Sequence, residues 1–460
     1  MTREKAVIAA NRFGLGARRA ELPEIDRNPE RWLLAQLEHD APVPSGLASS
    51  AEILTELQAQ LREVRAARQA GDTDAAQAAQ RANRKIFRDH YVEQATARYE
   101  LAASTDVPFC ERLVHFWTNH FAVSAEKPPV TALAGALENE AIRPHVTGRF
   151  VDLLLAVERH PAMLTYLDNA TSMGPSSMAA RIAARRGREL GLNENLAREI
   201  LELHTLGVAG GYTQQDVTTF AKVLTGWSIG GGQGPLASGP VGEFQFRPAM
   251  HEPGAKTLLA KRYAEAGVAE GEKVLRDLAA HPSTARFVAT KLARHFAADD
   301  PPPALVERLN RVYLEGSGDL SKVYRALVES PEPWAAAQTK FKTPQDFVIS
   351  TYRALGSRPE EPQRMIAFLG ELGQRPYTPG SPAGWPDTSS QWDGGAALVK
   401  RIDWAAAVGR FVGDRVDPEA LAGDILGPVL SDHTRTAIAR AASAAQGLTL
   451  LLASPEFQRR

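Results

Sequence analysis

The 460-residue sequence predicts a mainly α protein, a multi-helix globular fold with a long helical hairpin arm and at most one small β-hairpin. Three observations carry this prediction. Apolar residues recur mostly at helical rather than alternating spacing. Several segments open on helix-start signals, as in "NPERWLLAQLE", with Asn28 as cap and Pro29 at the first helical position. The composition, 44% apolar and 23% charged, is that of a folded globular chain.

The elements follow in order. Residues 51–103 are rich in Ala, Arg, Gln and Glu and are interrupted only by "GDTD", which predicts a helical hairpin whose polarity makes it an exposed arm. "TDVPFCERLVHFWTNHFAV" reads as a helix start followed by an aromatic-rich helix. "TALAGALENEAIRPHV" and "RFVDLLLAVERHPAMLTYLDNA" supply two more helices, and the Gly-, Ser- and Arg-rich "GPSSMAARIAARRGRELG" a loop. In "TQQDVTTFAKVLTGW", Thr213 and Asp216 make an acidic capping box and Gly226 the stop. Residues 228–262 read as a Gly-rich loop plus a small hairpin, with "EFQFR" paired to "KTLLAKRY" across the turn "HEPGAK". Thr343, Pro344 and Asp346 start a further helix, and "SPAGWPDTSSQWDGG" is a long loop carrying Trp385 and Trp392. Without a clear linker, residues 1–460 are expected to form one large α-helical domain.

Charge and cysteine content remove some function classes. A net charge of −1 gives no global field for nucleic acid. Cys110 is the only cysteine, so no intrachain disulfide and no cysteine-rich zinc site can form, and it reads as a packing residue. The opening "MTREKAVIAANRFGLGARRA" has no signal-peptide core, and no run of about 18 apolar residues occurs. The expected location is cytoplasmic as written, or periplasmic or exported if a leader was removed. "GGGQG" lacks the Lys-Ser/Thr of a phosphate loop.

The polar residues of "GLNENLAREILELHTLG" (191–207) raise the main functional question. At about 100° per residue, Asn195, Arg198, Glu199 and Glu202 fall on one stripe about 100° wide. Leu192, Leu196, Ile200 and Leu203 flank one side. The other shoulder mixes Leu201, Glu194 and Thr205, with Ala197 and His204 at the back. Such a stripe is expected to face protein or an enclosed cleft, and two readings follow. In one, Arg198 pairs with Glu202 or another carboxylate in a structural ion-pair network. In the other, Glu199 and Glu202 form an acid–base pair or ligate a metal, because carboxylates held together push one pKa up.

In "ERLVHFWTNHF", His120 shares a face with Leu113, Phe116 and Trp117. It is a core histidine, or a general base if it meets the carboxylate stripe. His115 points roughly 140° away, so the two are not a ready-made ligand pair. His251 sits in the turn "PAMHEPGAK" near Lys256, where turn residues on a rigid scaffold often carry function.

The strings "HFWTNHFAVS", "HPAMLTYLDNATSMGP", "NENLAREILELHTLGVAGGYTQQDVTTFAKVLTGW", "HEPGAKTLL" and "SPEFQRR" resemble the bacterial domain of unknown function 1800 family, from about residue 8 onward. The resemblance implies no established activity. It implies motif positions at Trp117, Asn119, His120, Asn193, Asn195, Arg198, Glu199, Glu202, Gly207, His251, Gly254, Lys256, Trp385 and Arg401. It also implies an envelope or extracellular role and a sulfatase-like partner protein.

The favoured expectation is a hydrolase acting on a saccharide or other polymer, with Glu199, Glu202 and His120 catalytic. Asn195, Arg198, Asn119, His251, Lys256, Trp385 and Trp392 would bind substrate. The carboxylates and histidines suit a divalent metal, whose identity and presence the sequence leaves unknown. The alternatives are a non-catalytic scaffold or binding module, in which the same stripe is an ion-pair network, and a metal-dependent redox enzyme.

Overall fold

A computed structural model describes residues 2–187, 191–232, 237–335 and 340–460. Its principal helices are α1 (Pro29–Ala35), α2 (Ser50–Gln69), α3 (Thr73–Ser104), α4 (Pro108–His120), α5 (Val130–Leu137), α6 (Phe150–Arg159), α7 (Asn195–Glu199), α8 (Gln214–Leu224), α9 (Val268–Ala279), α10 (Pro282–Phe296), α11 (Pro303–Glu315), α12 (Leu320–Glu329), α13 (Pro344–Leu355), α14 (Gly395–Val412) and α15 (Ala444–Ala453). The mainly α class is as expected, and the start signals act chemically. Asn28 accepts from the Arg31 amide, Thr343 accepts from the Asp346 amide, and Thr213 and Asp216 complete a reciprocal capping box.

The hairpin α2–α3 turns at Gly71, which has φ +73°, and Asp72 caps α3. Only its outer part is an exposed arm. The C-terminal half of α3 buries Tyr91, Ala95, Arg98, Tyr99 and Ala102 in the protein interior. The apolar core runs continuously from Ala6 to Phe457. None of the described helices is long and apolar enough to cross a membrane.

Two expectations change. Residues 178–185, read as loop, form a helix capped by Ser177, while 188–190 lie outside the described residues. Among the described residues the β-structure comprises two small antiparallel pairs instead of one hairpin. Trp227–Ile229 pairs with Phe244–Phe246, and Lys256–Leu258 pairs with Lys261–Tyr263. The second pair closes through Leu259 and Ala260, both at positive φ, so its turn carries no glycine signal. Part of the Gly-rich loop, 233–236, lies outside the described residues.

Among the described residues three short π-helical turns interrupt helical stretches, at Ala9–Phe13, Glu138–Ile142 and Ile200–His204. A π-turn stacks residues five apart, which an ordinary α-helix splays by roughly 140°. Two of these turns shape the polar interior.

Candidate functional site

Helix α4 begins at Pro108, with the Phe109 amide held by Gln36 Oε1 at 2.8 Å, and is buried along nearly its whole length. Its apolar side packs Trp117 against Phe121 and Phe150, and Trp117 Nε1 donates to Tyr324 Oη at 2.6 Å. On its other side Glu111 and His115 are buried too, which places charge inside the protein.

That charge is organised around Arg143, whose guanidinium donates to both oxygens of Glu111, at 2.6 and 2.7 Å, and to Glu138 Oε1 at 2.8 Å. Glu138 and Arg143 are five apart and face each other because the 138–142 turn is π-helical. Arg98 completes a pair with Glu138, and Thr118 donates to the same carboxylate at 2.9 Å. Burial alone would raise the Glu111 and Glu138 pKa values; the guanidiniums of Arg143 and Arg98 override it and hold both well below the usual range.

Beside this network lies a cavity of about 480 Å³, between α4, α10 and the segment 374–388. Its charge is lopsided. Arg98, Arg112, Lys291, Arg294 and Arg375 line it, against the carboxylates of Asp346 and Asp387. Asp346 lies 3.2 Å from both Arg112 and Arg460, and Asp387 faces His295, Lys340 and Arg460. Burial would raise both aspartates; these neighbours instead drive them far below the usual range, so both are ionised.

Three of the lining cations have no carboxylate within ion-pair distance among the described residues. Arg294 donates to the Asp299 carbonyl at 3.2 Å, and Arg375 donates to Tyr91 Oη at 3.2 Å while stacking on that ring. Lys291 lies 5.6 Å from the centre of the Phe287 ring. Burial lowers its pKa to about 8, with Asp387 opposing the shift.

Three histidines border the same space. His295 Nδ1 lies 2.8 Å from Asp387 Oδ2. An ionised aspartate only accepts, so Nδ1 carries the hydrogen and Nε2 is left with a lone pair. Nε2 is buried without a partner. Burial and the charge of Arg460 hold this imidazole neutral, with its pKa lowered to about 4 against the pull of Asp387. His120 Nε2 donates to the His204 carbonyl at 3.1 Å, and its Nδ1 is unpartnered. Burial, Lys291 and His204 keep His120 neutral as well. His115 Nδ1 accepts from Gln345 at 3.0 Å, while Nε2 sits 3.2 Å from Glu111 without hydrogen-bond alignment.

Among the residues predicted to act, His120, Asn119 and Trp385 line this cavity. Asn119 holds the loop by its backbone, with Nδ2 donating to the Trp385 carbonyl at 2.9 Å and Oδ1 accepting from the Trp385 amide at 2.7 Å. Gly384 precedes that contact at φ +78°, where a Cβ would overlap Asn119. Trp392 is buried against Trp385, ring centres 6.2 Å apart, and donates to the Pro386 carbonyl.

Glu199, Glu202, Asn195 and Arg198 are not among the residues lining it. Their stripe is half-exposed rather than enclosed, because only one side of this helix packs into the core. Arg198, 38% exposed, pairs with Glu194 at 3.2 Å and reaches Gln214, not Glu202. Glu202 accepts from Tyr212 at 3.3 Å. Partial burial raises the Glu199 pKa, helped by Glu202 and opposed by His204. His204, at the back of the same turn, is fully buried 2.7 Å from Glu158.

His251 and Lys256 form a separate group. His251 Nε2 and Lys256 Nζ each lie 3.2 Å from Glu270 Oε2. Lys256 also donates to the carbonyls of Glu252 and Gly254, and His251 Nδ1 sits 2.8 Å from the Thr225 carbonyl. These contacts tie the "HEPGAK" turn to α9. Several further motif positions are likewise occupied in packing. Arg401 spans the Phe341 and Phe347 rings and donates to the Lys342 carbonyl, and a Cβ on Gly207 would come within 2.8 Å of Phe287.

Sequence reasoning missed His295, Lys291 and Asp387. The signal for Asp387 was its place in "GWPDTSSQW", between the two tryptophans already singled out. Lys291 and His295 share one face of α10 at i, i+4 spacing. Among the described residues no three His, Cys, Asp or Glu side chains converge as a metal site.

Comparison with known proteins places residues 8–459 in the family described as protein of unknown function (DUF1800). No curated protein and no solved structure matches the chain. The chain belongs to the DUF1800 family.

Proposed function

We propose, with membership of that uncharacterised family as the premise, that this chain is a binding protein for a small anionic ligand held in the cavity between α4, α10 and the segment 374–388. One observation carries the reading: five cationic side chains line the cavity against two carboxylates, and three of the five have no carboxylate within ion-pair distance among the described residues. Uncompensated cations in a partly desolvated space are costly, and an anion entering it relieves that cost. The cavity is of a size that takes a sugar or similar molecule. Trp385, backed by Trp392, offers a flat face for such a ring.

The binding reading is better supported than the hydrolase. General-acid glycoside hydrolysis needs a carboxylic acid that keeps its proton near neutral pH. Asp346 and Asp387 are held ionised, and Glu199 and Glu202 do not line the cavity.

The test is calorimetric titration of the purified chain with galacturonate and glucuronate saccharides, sugar sulfates, inorganic sulfate and phosphate, and neutral sugars of the same size. The expected result is anion-selective binding that weakens with salt and with Arg294→Met or Arg375→Met. Equal affinity for neutral and anionic sugars, or no binding of any anion, would refute it.

A further inference from the structure

We propose that a second cavity, of about 300 Å³ between the end of α13, the helix Pro362–Glu371 and the C-terminal half of α14, binds a small monocarboxylate with an apolar body, such as a medium-chain fatty acid. This site shares no lining residue with the anion-binding cavity and does not depend on that reading.

The body of the ligand follows from the walls. Tyr352, Met365, Phe368, Trp404, Val408 and Phe411 present rings and aliphatic chains to the space. The wall offers little to a polyhydroxylated ligand, and the buried Thr351 hydroxyl is already committed to the Phe347 carbonyl at 2.9 Å. A sugar placed against this wall would leave hydroxyls without partners, a cost that a hydrocarbon chain avoids. Phe411 is 60% exposed, so its ring has apolar surface to offer a ligand.

The head follows from the rim. Arg358, Arg364 and Arg415 are exposed there, against Glu360 and Glu361. Among the described residues only Arg364 of the three is within ion-pair distance of a carboxylate, Glu361 at 3.5 Å. Arg415 uses Nε and Nη2 on the carbonyls of Val412 and Phe411, and its guanidinium carbon lies 5.2 Å from the centre of the Phe411 ring. The Tyr352 hydroxyl is under the charges of Arg364 and Glu360, which places it toward the same rim. Burial pushes its pKa up to about 12, so at neutral pH it keeps its hydrogen and can donate. A carboxylate at the rim therefore meets guanidinium and phenol donors while its chain lies along the aromatic wall. A cationic head would face three guanidiniums, and an uncharged head forgoes the charge-assisted bonds.

The size of the ligand follows from the volume. The cavity has room for about ten water-sized groups, which matches a carboxylate of roughly eight to ten carbons. It is too small for an amphipathic helix, whose anchors recur at i, i+3, i+4 and i+7.

The full chain is titrated calorimetrically with hexanoate, octanoate, decanoate and dodecanoate, and with octanol and octyltrimethylammonium. Affinity should rise roughly fourfold per methylene up to about ten carbons and then level off. Octanol should bind several-fold more weakly than octanoate, and octyltrimethylammonium more weakly still. Arg358→Gln combined with Arg415→Gln should cost octanoate about fivefold and leave octanol little changed. Phe411→Ala, at an exposed position, should weaken octanoate and octanol alike, and Val408→Trp should abolish both by filling the space. Arg294→Met, in the other cavity, should change neither. Equal affinity for octanoate and octanol overturns the anionic head and the proposal with it. Affinity that ignores chain length, or that falls with Arg294→Met but not with Phe411→Ala, assigns the carboxylate to the other cavity and overturns this site. Binding of none of these compounds overturns it as well, while the anion-binding reading keeps its own titration. Self-association of the chain in sedimentation, lost with Phe411→Ala, would in that event assign the cleft to a second copy. The wild-type chain-length series decides the matter even if a variant fails to fold.

Discussion

Replacing Arg143 with methionine tests whether the buried charges are a mutually dependent network. Arg143 is fully buried and makes five hydrogen bonds, three to Glu111 and Glu138, one to Asn139 and one to the Pro42 carbonyl. Methionine fills much of the volume but leaves Glu111 with only a misaligned His115 at 3.2 Å. Breaking a buried pair by removing one partner costs about 3–5 kcal/mol near neutral pH, mostly from the stranded carboxylate.

The pH dependence follows from the direction of each shift. In the wild type, Glu111 and Glu138 lie below their unfolded value of about 4.3. Their contribution is therefore present above that value and is lost as pH falls through the folded pKa values. In the variant, burial acts on Glu111 without its main counter-charge, so its folded pKa moves above the unfolded one. That group then costs stability as pH rises. The gap between wild type and variant should be widest near neutral pH and should shrink on acidification toward about pH 4.3. Adding Glu111→Gln should recover part of the loss, because an amide needs no counter-charge. The assay is denaturant unfolding followed by near-ultraviolet circular dichroism and fluorescence, with coincidence of the two as the check on two-state behaviour. A loss below about 1 kcal/mol near pH 7, or one that does not narrow on acidification, would refute the reasoning.

Further expectations concern the loop and the stripe. Asn119→Ala removes two hydrogen bonds to the Trp385 backbone and should cost about 2 kcal/mol, seen as faster amide exchange at Gly384 and Trp385 and weaker ligand binding. Gly384→Ala places a methyl against Asn119 at a positive φ, and thermal unfolding should show a larger loss than for the alanine change at exposed, positive-φ Gly46. Glu199→Gln should be neutral to slightly stabilising near pH 7, because its folded pKa is raised and its charge is a net cost there. Calorimetry should show cavity binding unchanged. Glu202→Gln should stay within about 0.5 kcal/mol of wild type, since Arg198 keeps Glu194; a loss of several kcal/mol would restore the ion-pair seam.

The helical class and its start signals were legible because caps act locally: Asn28, Thr213 and Thr343 each bond within their own first turn. The orientation of His204 was also legible, since position on a helix follows from spacing. The depth of the 195–202 stripe was not. A wheel shows which residues share a face but not how far the neighbouring elements cover it, and the leucines beside the stripe are packed on one side only. The cavity was out of reach for a related reason. His295 and Asp387 are 92 residues apart in the chain, and Arg143 meets Glu111 across 32. Each of those residues looks unremarkable in its own segment. The π-turn that stacks Glu138 on Arg143 has no composition signal at all.

That turn bears on how the chain tolerates changes of length. A π-turn is an α-helix carrying one residue more than its neighbours require, as a single-residue insertion would leave it. Deleting one uncharged residue from 139–142 would let the helix close in the ordinary way with Glu138 and Arg143 four apart, about 40° from each other and still on one face. Arg143 would keep its side toward Glu138 and Glu111. The same holds for 200–203, where a deletion would leave His204 on the side that faces Glu158. Lengthening either turn by one further residue is the change that should swing Arg143 or His204 away, by about 100°.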